Sequence, residues 1–436
     1  MYYNEKTENV NDKPEKICYT LFGKEGDPMK AERGYPVVTV TPKGERFLKS
    51  GRVWVFDEEV TEIKGAYENG DIVDVVNAKG RYLGSGFFNG NSRIRVRVFS
   101  QNANDAFDAA FFARRLRYSF DYRKAVMGSD FCCCRLIFGE ADGFPGLTVD
   151  RFGDILVTQT LSLGIERRKD VIFPLIAQIL AEMGAPVKAI FERNDVAIRE
   201  KEGMAQNTGF FEAPGLAADL PGTVILTENG IDYEVDYMHG QKTGFFLDQK
   251  YNRLATGRLA EGRTVLDCFT HTGAFALNCA KAGAKRVTAV DISEDAAAAA
   301  RANAARNGFS NVEVLCANVF DLLTELYAKG GSPYDYIILD PPAFTKSSST
   351  VRSAIRGYKE INLKAMKLLP RGGYLATCSC SHFMTDALFR EMLRDAAADA
   401  GVSLRQIEAR QQSPDHPILW NVPETDYLKF YLFQVV

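Results

Sequence analysis

The sequence predicts an α/β fold: a Rossmann-like sheet of seven strands fills the C-terminal part, behind a small β-barrel and a central α+β region. Two patterns carry this. From about residue 240, strand-length apolar runs alternate with helical patterns, as an open and mostly parallel sheet requires. Between 37 and 99 the apolar runs are shorter, and Asn69-Gly70, Lys79-Gly80 and Asn89-Gly90 divide them. Short strands with glycine turns at such spacing suit a barrel.

In chain order, residues 1–33 are polar with little periodicity and read as an extension or an added strand. Barrel strands are expected at Val37–Val40, Val53–Phe56, Asp71–Val76 and Ile94–Val98. Residues 106–127 repeat Phe107, Phe111, Leu116 and Phe120 at helical spacing. Asn229-Gly230, between Val224-Ile225-Leu226 and Ile231-Asp232-Tyr233, is a hairpin signal. Five βα units then begin at Val265–Asp267, Val287–Asp291, Val312–Cys316, Tyr336–Asp340 and Tyr374–Cys378. Strand-like runs near Leu404–Ala409 and Tyr427–Val436 close the sheet. The expected divisions are 1–33, 34–105, 106–236 and 237–436, in keeping with the two or three domains that 436 residues imply.

Composition narrows the class. Apolar content of 46% and charged content of 25% are those of a soluble globular protein. No apolar run is long enough to span a bilayer, and the first residues lack the basic start and apolar core of a secretory leader. Nine irregularly spaced cysteines fit neither a disulfide framework nor a zinc site, so reduced thiols, a cytoplasmic setting and no metal are expected. The net charge of −3 counts mildly against nucleic acid, although a local basic face would suffice.

A ligand site is expected at the strand C-termini. Asp267-Cys268-Phe269-Thr270-His271-Thr272-Gly273 is a strand end, a tight turn and a helix start. Gly273 lets the backbone approach a ligand, and the helix N-terminus presents N–H groups to an anion. The dinucleotide fingerprint G-x-G-x-x-G is absent. An acid at the strand end instead fits a ligand with a cationic amine beside its carboxylate, such as S-adenosylmethionine. Asp291 stands where an acid would hold the ribose hydroxyls, and Asn318 where a polar side chain would meet the adenine edge. Each residue alone could be an ordinary loop polar group; the ordered set Asp267, Gly273, Asp291 and Asp340 argues otherwise.

The chemistry is expected at Asp340-Pro341-Pro342-Ala343-Phe344 and Ser379-Cys380-Ser381. Two prolines have fixed φ and no N–H, so they hold Asp340 rigidly at a strand tip. Ala343 intervenes before the aromatic Phe344, which weakens an amine-methylation reading. A cysteine at the neighbouring tip can add to C6 of a cytosine and make C5 nucleophilic; thiols are intrinsically strong nucleophiles. Cys380 lies nearer the loop than Cys378, which shares its face, and either could instead be a small buried hydrophobe. Asp340 or a water would take the C5 proton. His382 could poise the thiol or be plain surface.

On these strings, with Gly139–Leu147, Gln241–Gln249 and Asn252-Arg253, the chain resembles PUA-domain-containing S-adenosylmethionine-dependent 23S ribosomal RNA cytosine-C5 methyltransferases from about residue 37 onward. The resemblance implies that Gln241, Lys242, Thr243 and Phe245 sit over the cofactor, with Asp267, Phe269, Thr270, Thr272, Gly273, Asp291, Asn318, Asp340 and Pro341 around it. It implies that Cys380 is the nucleophile and Asp340 its catalytic neighbour, and that the barrel binds RNA. Arg93, Arg95 and Arg97 would give the barrel a basic face, with Phe344 and Lys346 at the target. Family members often pair, so a homodimer is open. The position of Asn318 is often Asp in the family; an amide oxygen could still accept from the adenine amine. The alternatives are an RNA guanine methyltransferase, which needs no cysteine, and a catalytically silent RNA-binding assembly protein.

Overall fold

The computed structural model describes residues 33–330, 333–345 and 347–436; the expectations for 1–32 and for Lys346 lie outside them. The N-terminal unit is a six-stranded sheet in the spatial order Trp54–Phe56, Ile94–Ser100, Tyr82–Phe88, Ile72–Asn77, Val37–Val40, Val60–Lys64. Alternation along these strands buries Val38, Val55, Val75, Val96 and Val98 in one cluster. Two strands and a helix here lacked a clear sequence signal. Tyr82–Phe88 is buried on both faces and so does not alternate. The helix Pro42–Lys49 opens on an N-cap, where the Thr41 hydroxyl accepts from Gly44 N and proline takes the first turn.

The central unit is a five-stranded sheet, Asn207–Phe210, Ala189–Asn194, Ile155–Thr160, Leu147–Phe152 and Cys133–Phe138. Helices Ala109–Met127 and Lys169–Glu182 cover it, and Phe111, Phe120, Phe144, Leu136 and Ile176 form the shared core. The hairpin Thr223–Glu228/Ile231–Asp236 turns through Asn229 and Gly230, with φ of 53° and 70° as a two-residue turn demands. It docks on the next unit: Glu234 N donates to Asn303 Oδ1 and Asp232 N to Asn307 Oδ1, both at 2.9 Å.

The C-terminal unit is the expected seven-stranded sheet. Its strands are β1 (Thr264–Cys268), β2 (Arg286–Asp291), β3 (Val312–Cys316), β4 (Tyr336–Leu339), β5 (Tyr374–Ser379), β6 (Leu404–Arg410) and β7 (Lys429–Val435). The order is β3-β2-β1-β4-β5-β7-β6, with β1 to β5 parallel and β7 antiparallel between β5 and β6. Helices on both faces bury the central strands completely, which is why these read as continuous apolar runs. The order reverses between β1 and β4, so the crevice beyond their C-terminal ends is the switch point where open α/β sheets bind ligands.

Polar contacts join the units. Arg97 pairs with Glu140 at 3.4 Å and Glu202 at 2.9 Å, and Trp54 Nε1 donates to Glu140 at 3.0 Å. Arg253 on the helix Lys250–Gly257 pairs with Glu228 of the hairpin, both fully buried. No helix among the described residues is long and apolar enough to cross a membrane, and their eight cysteines are all free.

Candidate active site

Asp267 ends β1 wholly buried. Its Oδ2 accepts from the Thr270 hydroxyl at 2.6 Å and from Ala276 N at 2.9 Å, while its Oδ1 has no partner. Burial pushes its carboxyl up to about 7. The following loop alternates hand: Phe269, His271 and Gly273 have φ of 65°, 50° and 86°. Backbone of alternating hand turns successive N–H groups into one anion-binding concavity. Two of these residues are not glycine, so the loop is strained, as ligand clamps often are. Gly273 needs its left-handed φ and also lies against Ala300, 3.2 Å from where a Cβ would stand. The Thr272 hydroxyl, buried in the same loop, is a second orphan.

Asp291 ends β2, accepting from His271 N at 2.9 Å and Ser293 N at 3.0 Å. This fixes the carboxylate at the crevice rim. Asn318 is the N-cap of the helix Val319–Ala328, its Oδ1 accepting from Phe320 N at 2.9 Å. The cap uses one lone pair of the amide oxygen, which leaves its second lone pair and the NH₂ for other partners.

The resident groups fit S-adenosylmethionine. Asp267 Oδ1 is an unpaired buried acceptor where a cationic amine belongs, the 269–273 loop is a cradle for the adjoining carboxylate, and Asp291 offers lone pairs to a diol. The overlying segment fits less well. Thr243 is buried with its hydroxyl on Asp150 at 2.6 Å. Phe245 packs in the core against Tyr233 and under the Arg253 guanidinium. Both side chains are spent on the junction with the central sheet, because Thr243 completes the buried Arg135–Asp150 pair. Only Gln241 and Lys242 of that set stay exposed, and Lys242, at φ 53°, lays its ammonium 4.7 Å from the Phe246 ring centre.

At β4 and β5 the two chemical strings meet. Leu339 pairs with Thr377, which sets Asp340 beside the end of β5. Cys380 Sγ lies 4.0 Å from the Pro341 carbonyl. The alternation of β5 sends Ser379 and Ser381 the other way, where both hydroxyls meet Tyr358 Oη at 3.1 and 3.2 Å. Cys380 is half-buried, whereas Cys378 is completely enclosed and touches Asp340 and Gln249. The accessible thiol is therefore Cys380. Burial pushes it up to about 11, with Asp340 and Asp248 opposing its ionisation and Lys242 and Lys429 favouring it. Asp340 Oδ1 accepts from Gln249 Nε2 at 3.0 Å, and burial beside Asp248 holds it at about 7.

Pro341 is buried and Pro342 exposed. Phe344 is half-buried, 4.5 Å from Tyr358 and 6.0 Å from Phe320 between ring centres. His382 is exposed, its ring 5.4 Å from that of Phe383. The arginines of the barrel strand differ in their surroundings. Arg97 is consumed at the junction, and Arg95 is tied to Asp57 at 2.7 Å and to loop carbonyls; Arg93 alone stays exposed without a partner among the described residues. The cause is the acidic residues Asp57, Glu140 and Glu202, which neighbouring segments bring to the strand.

Sequence reasoning missed Asp248, Gln249, Tyr427 and Lys429. Tyr427 donates to Asp248 Oδ2 at 2.5 Å, and Lys429 lies beside Ser381. A signal did exist for Lys429: it opens the otherwise apolar run Phe430-Tyr431-Leu432-Phe433.

Known proteins share the family and the fold. A PUA-like domain model matches residues 38–101, and an S-adenosylmethionine-dependent methyltransferase model matches residues 215–434. Ribosomal RNA large subunit methyltransferase I of Klebsiella pneumoniae (strain 342) is 39% identical over 405 residues, 92% of this chain and 99% of the relative. Its namesake in Escherichia coli O157:H7 is 39% identical over 402 residues, 91% of this chain and 99% of the relative. The fold matches a structure described as a SAM-dependent methyltransferase from Streptococcus mutans, with TM-score 0.75 and 22% identity over 91% of this chain and 99% of that one. It also matches a methyltransferase complexed with SAH, with TM-score 0.77 and 21% identity over the same shares. The chain belongs to the S-adenosylmethionine-dependent methyltransferase family, among the relatives of ribosomal RNA large subunit methyltransferase I.

Proposed function

We propose that this S-adenosylmethionine-dependent methyltransferase forms 5-methylcytidine in 23S ribosomal RNA, in the cytoplasm, through a covalent adduct on Cys380. The observation that carries the reading is the half-buried Cys380 thiol 4.0 Å from the Pro341 carbonyl, beside the Asp-Pro-Pro ledge. The relatives' name supports a large-subunit RNA substrate.

The Cys380 thiolate forms the S–C6 bond, and the C5=C6 electron pair moves onto C5. S-adenosylmethionine, when bound, supplies a methyl on a cationic sulfur, which C5 takes as that carbon–sulfur bond breaks toward S-adenosylhomocysteine. The proton on C5 then passes to a base, the S–C6 electrons return to Cys380, and the ring is restored. Asp340, held near 7 and fixed by Gln249, suits that base. The two prolines, with fixed φ and no N–H, keep its position constant through the cycle.

RNA would cross from the N-terminal sheet to the thiol. Arg93 is free for phosphate. The loop after β6 touches the N-terminal unit through Asn421 and Gly51, and there it displays Trp420, 99% exposed. An exposed indole stacks on a base of any kind. The test is methyl transfer to 23S fragments. Cys380→Ala should lose nearly all turnover while keeping cofactor affinity; full turnover by that variant would favour direct transfer to an amine instead.

A further inference from the structure

Lys429 is the first residue of β7 and only 6% exposed. Its backbone pairs with Ser379, while its ammonium donates to the Ser381 carbonyl at 2.7 Å and the Tyr427 carbonyl at 2.7 Å. These contacts hold the ammonium at the backbone on either side of residue 380, where the charges of Lys429 and Cys380 act on one another. Among the described residues no carboxylate forms an ion pair with Lys429. Two neutral carbonyls orient a buried cation without neutralising it, and a buried charge without a counter-charge is costly.

The groups around the pair are few. Asp426 and Asp386 act on Lys429 from the loop before β7 and from the helix Asp386–Ala400. Asp340, Asp248 and Lys242 act on Cys380, and Cys378 and Tyr358 are its further titratable neighbours. Of the cations, Lys242 is exposed on a surface turn, where water screens it. Lys429 is the enclosed one, and low local dielectric makes its field count for more.

We propose that Lys429 is the counter-charge of the Cys380 thiolate, a positioning residue that raises the ionised fraction of the thiol without touching the base. Below about pH 8 the ammonium is protonated, and the thiol proton leaves to solvent. The two burial costs then offset one another, since burial alone holds the thiol high and the lysine low, at about 8. The catalytic consequence rests on Cys380 being the nucleophile; the coupling of the two charges does not.

The full-length protein is alkylated with iodoacetamide from pH 6 to 10, and the rate at Cys380 alone is read by mass spectrometry of its peptide. Lys429→Met should move the Cys380 midpoint up by at least about one unit, an approximately tenfold slower reaction at pH 8. Lys429→Arg should restore most of the rate. An unchanged Cys380 profile in Lys429→Met overturns the proposal. If that variant melts early, Lys429→Gln, which keeps a donor for one carbonyl, is read by the same criterion. The readout needs neither RNA nor methyl transfer. A shifted profile alongside a fully active Cys380→Ala enzyme would therefore uphold the coupling while removing the nucleophile reading.

Discussion

In the proposed site, Asp267 would tie stability to cofactor binding through one side chain. Its carboxyl, with that of Asp340, is raised from an ordinary value of 3.8 to about 7 by burial. An acid raised on folding holds an extra proton in the native state between those values. Stability therefore falls as pH climbs through that window. Asp267→Asn should flatten part of this fall and raise the melting temperature of the cofactor-free protein at pH 8. The same change should weaken S-adenosylmethionine at least about tenfold, because an amide cannot pair with the amine. In the parent protein, calorimetry should show cofactor affinity rising from pH 5.5 to 7.5, as Asp267 ionises to receive the cation. Affinity independent of pH would contradict this pairing. Asp267 and Cys380 were legible because an acid or a thiol ending an apolar run is conspicuous. The junction contacts of Thr243 and Phe245 with Asp150 and Tyr233 were not legible, because they form only when separate segments of the chain pack together.

Elements whose burial is uniform were the easiest to read. β1, β2, β4 and β5 appear as apolar runs because helices cover both faces, whereas β3, at the sheet edge, keeps Glu313 and Cys316 exposed. The N-terminal unit hid Val60–Lys64, whose residues are half-buried or exposed in irregular order, and Pro42–Lys49, a helix of eight residues too short to show a period. The loop between β1 and the helix Ala274–Lys281 depends on Gly273. Gly273→Ala sets a Cβ in a left-handed turn against Ala300, and should cost about 1–3 kcal/mol in chemical denaturation. Asn318 caps the helix Val319–Ala328 and is the residue proposed to face the adenine edge. Asn318→Ala should cost about 1 kcal/mol through its lost cap. Asn318→Asp keeps the cap and turns the amide donor into an acceptor, so it should tighten the cofactor while leaving stability nearly constant. Equal cofactor affinity in Asn318→Asp and the parent would show that this side chain does not reach the adenine.

At the scale of the molecule, the three units are stapled by buried pairs rather than by broad apolar faces alone. Arg253 and Glu228 are 2% and 0% exposed, and Arg253→Ala would strand a buried carboxylate, costing about 3–5 kcal/mol. The arginines of the N-terminal sheet divide in the same way. Arg97→Ala should lower the melting temperature through Glu140 and Glu202, with a small change in the salt slope of RNA binding. Arg93→Ala should leave melting unchanged and reduce that slope by about 0.7, the loss of one single-strand phosphate contact. An alternating Arg-apolar strand announces a charged face, and only the folded chain reveals which acids come to meet it.

The account as a whole turns on whether Cys380 bonds to the pyrimidine. A 23S fragment carrying 5-fluorocytidine at the target blocks proton loss from C5 and should freeze the adduct. Incubated with S-adenosylmethionine, the parent protein should give an RNA-linked band that survives denaturation, with the cross-linked peptide containing Cys380. The same band formed by Cys380→Ala, or linkage through Cys378, would contradict the assignment.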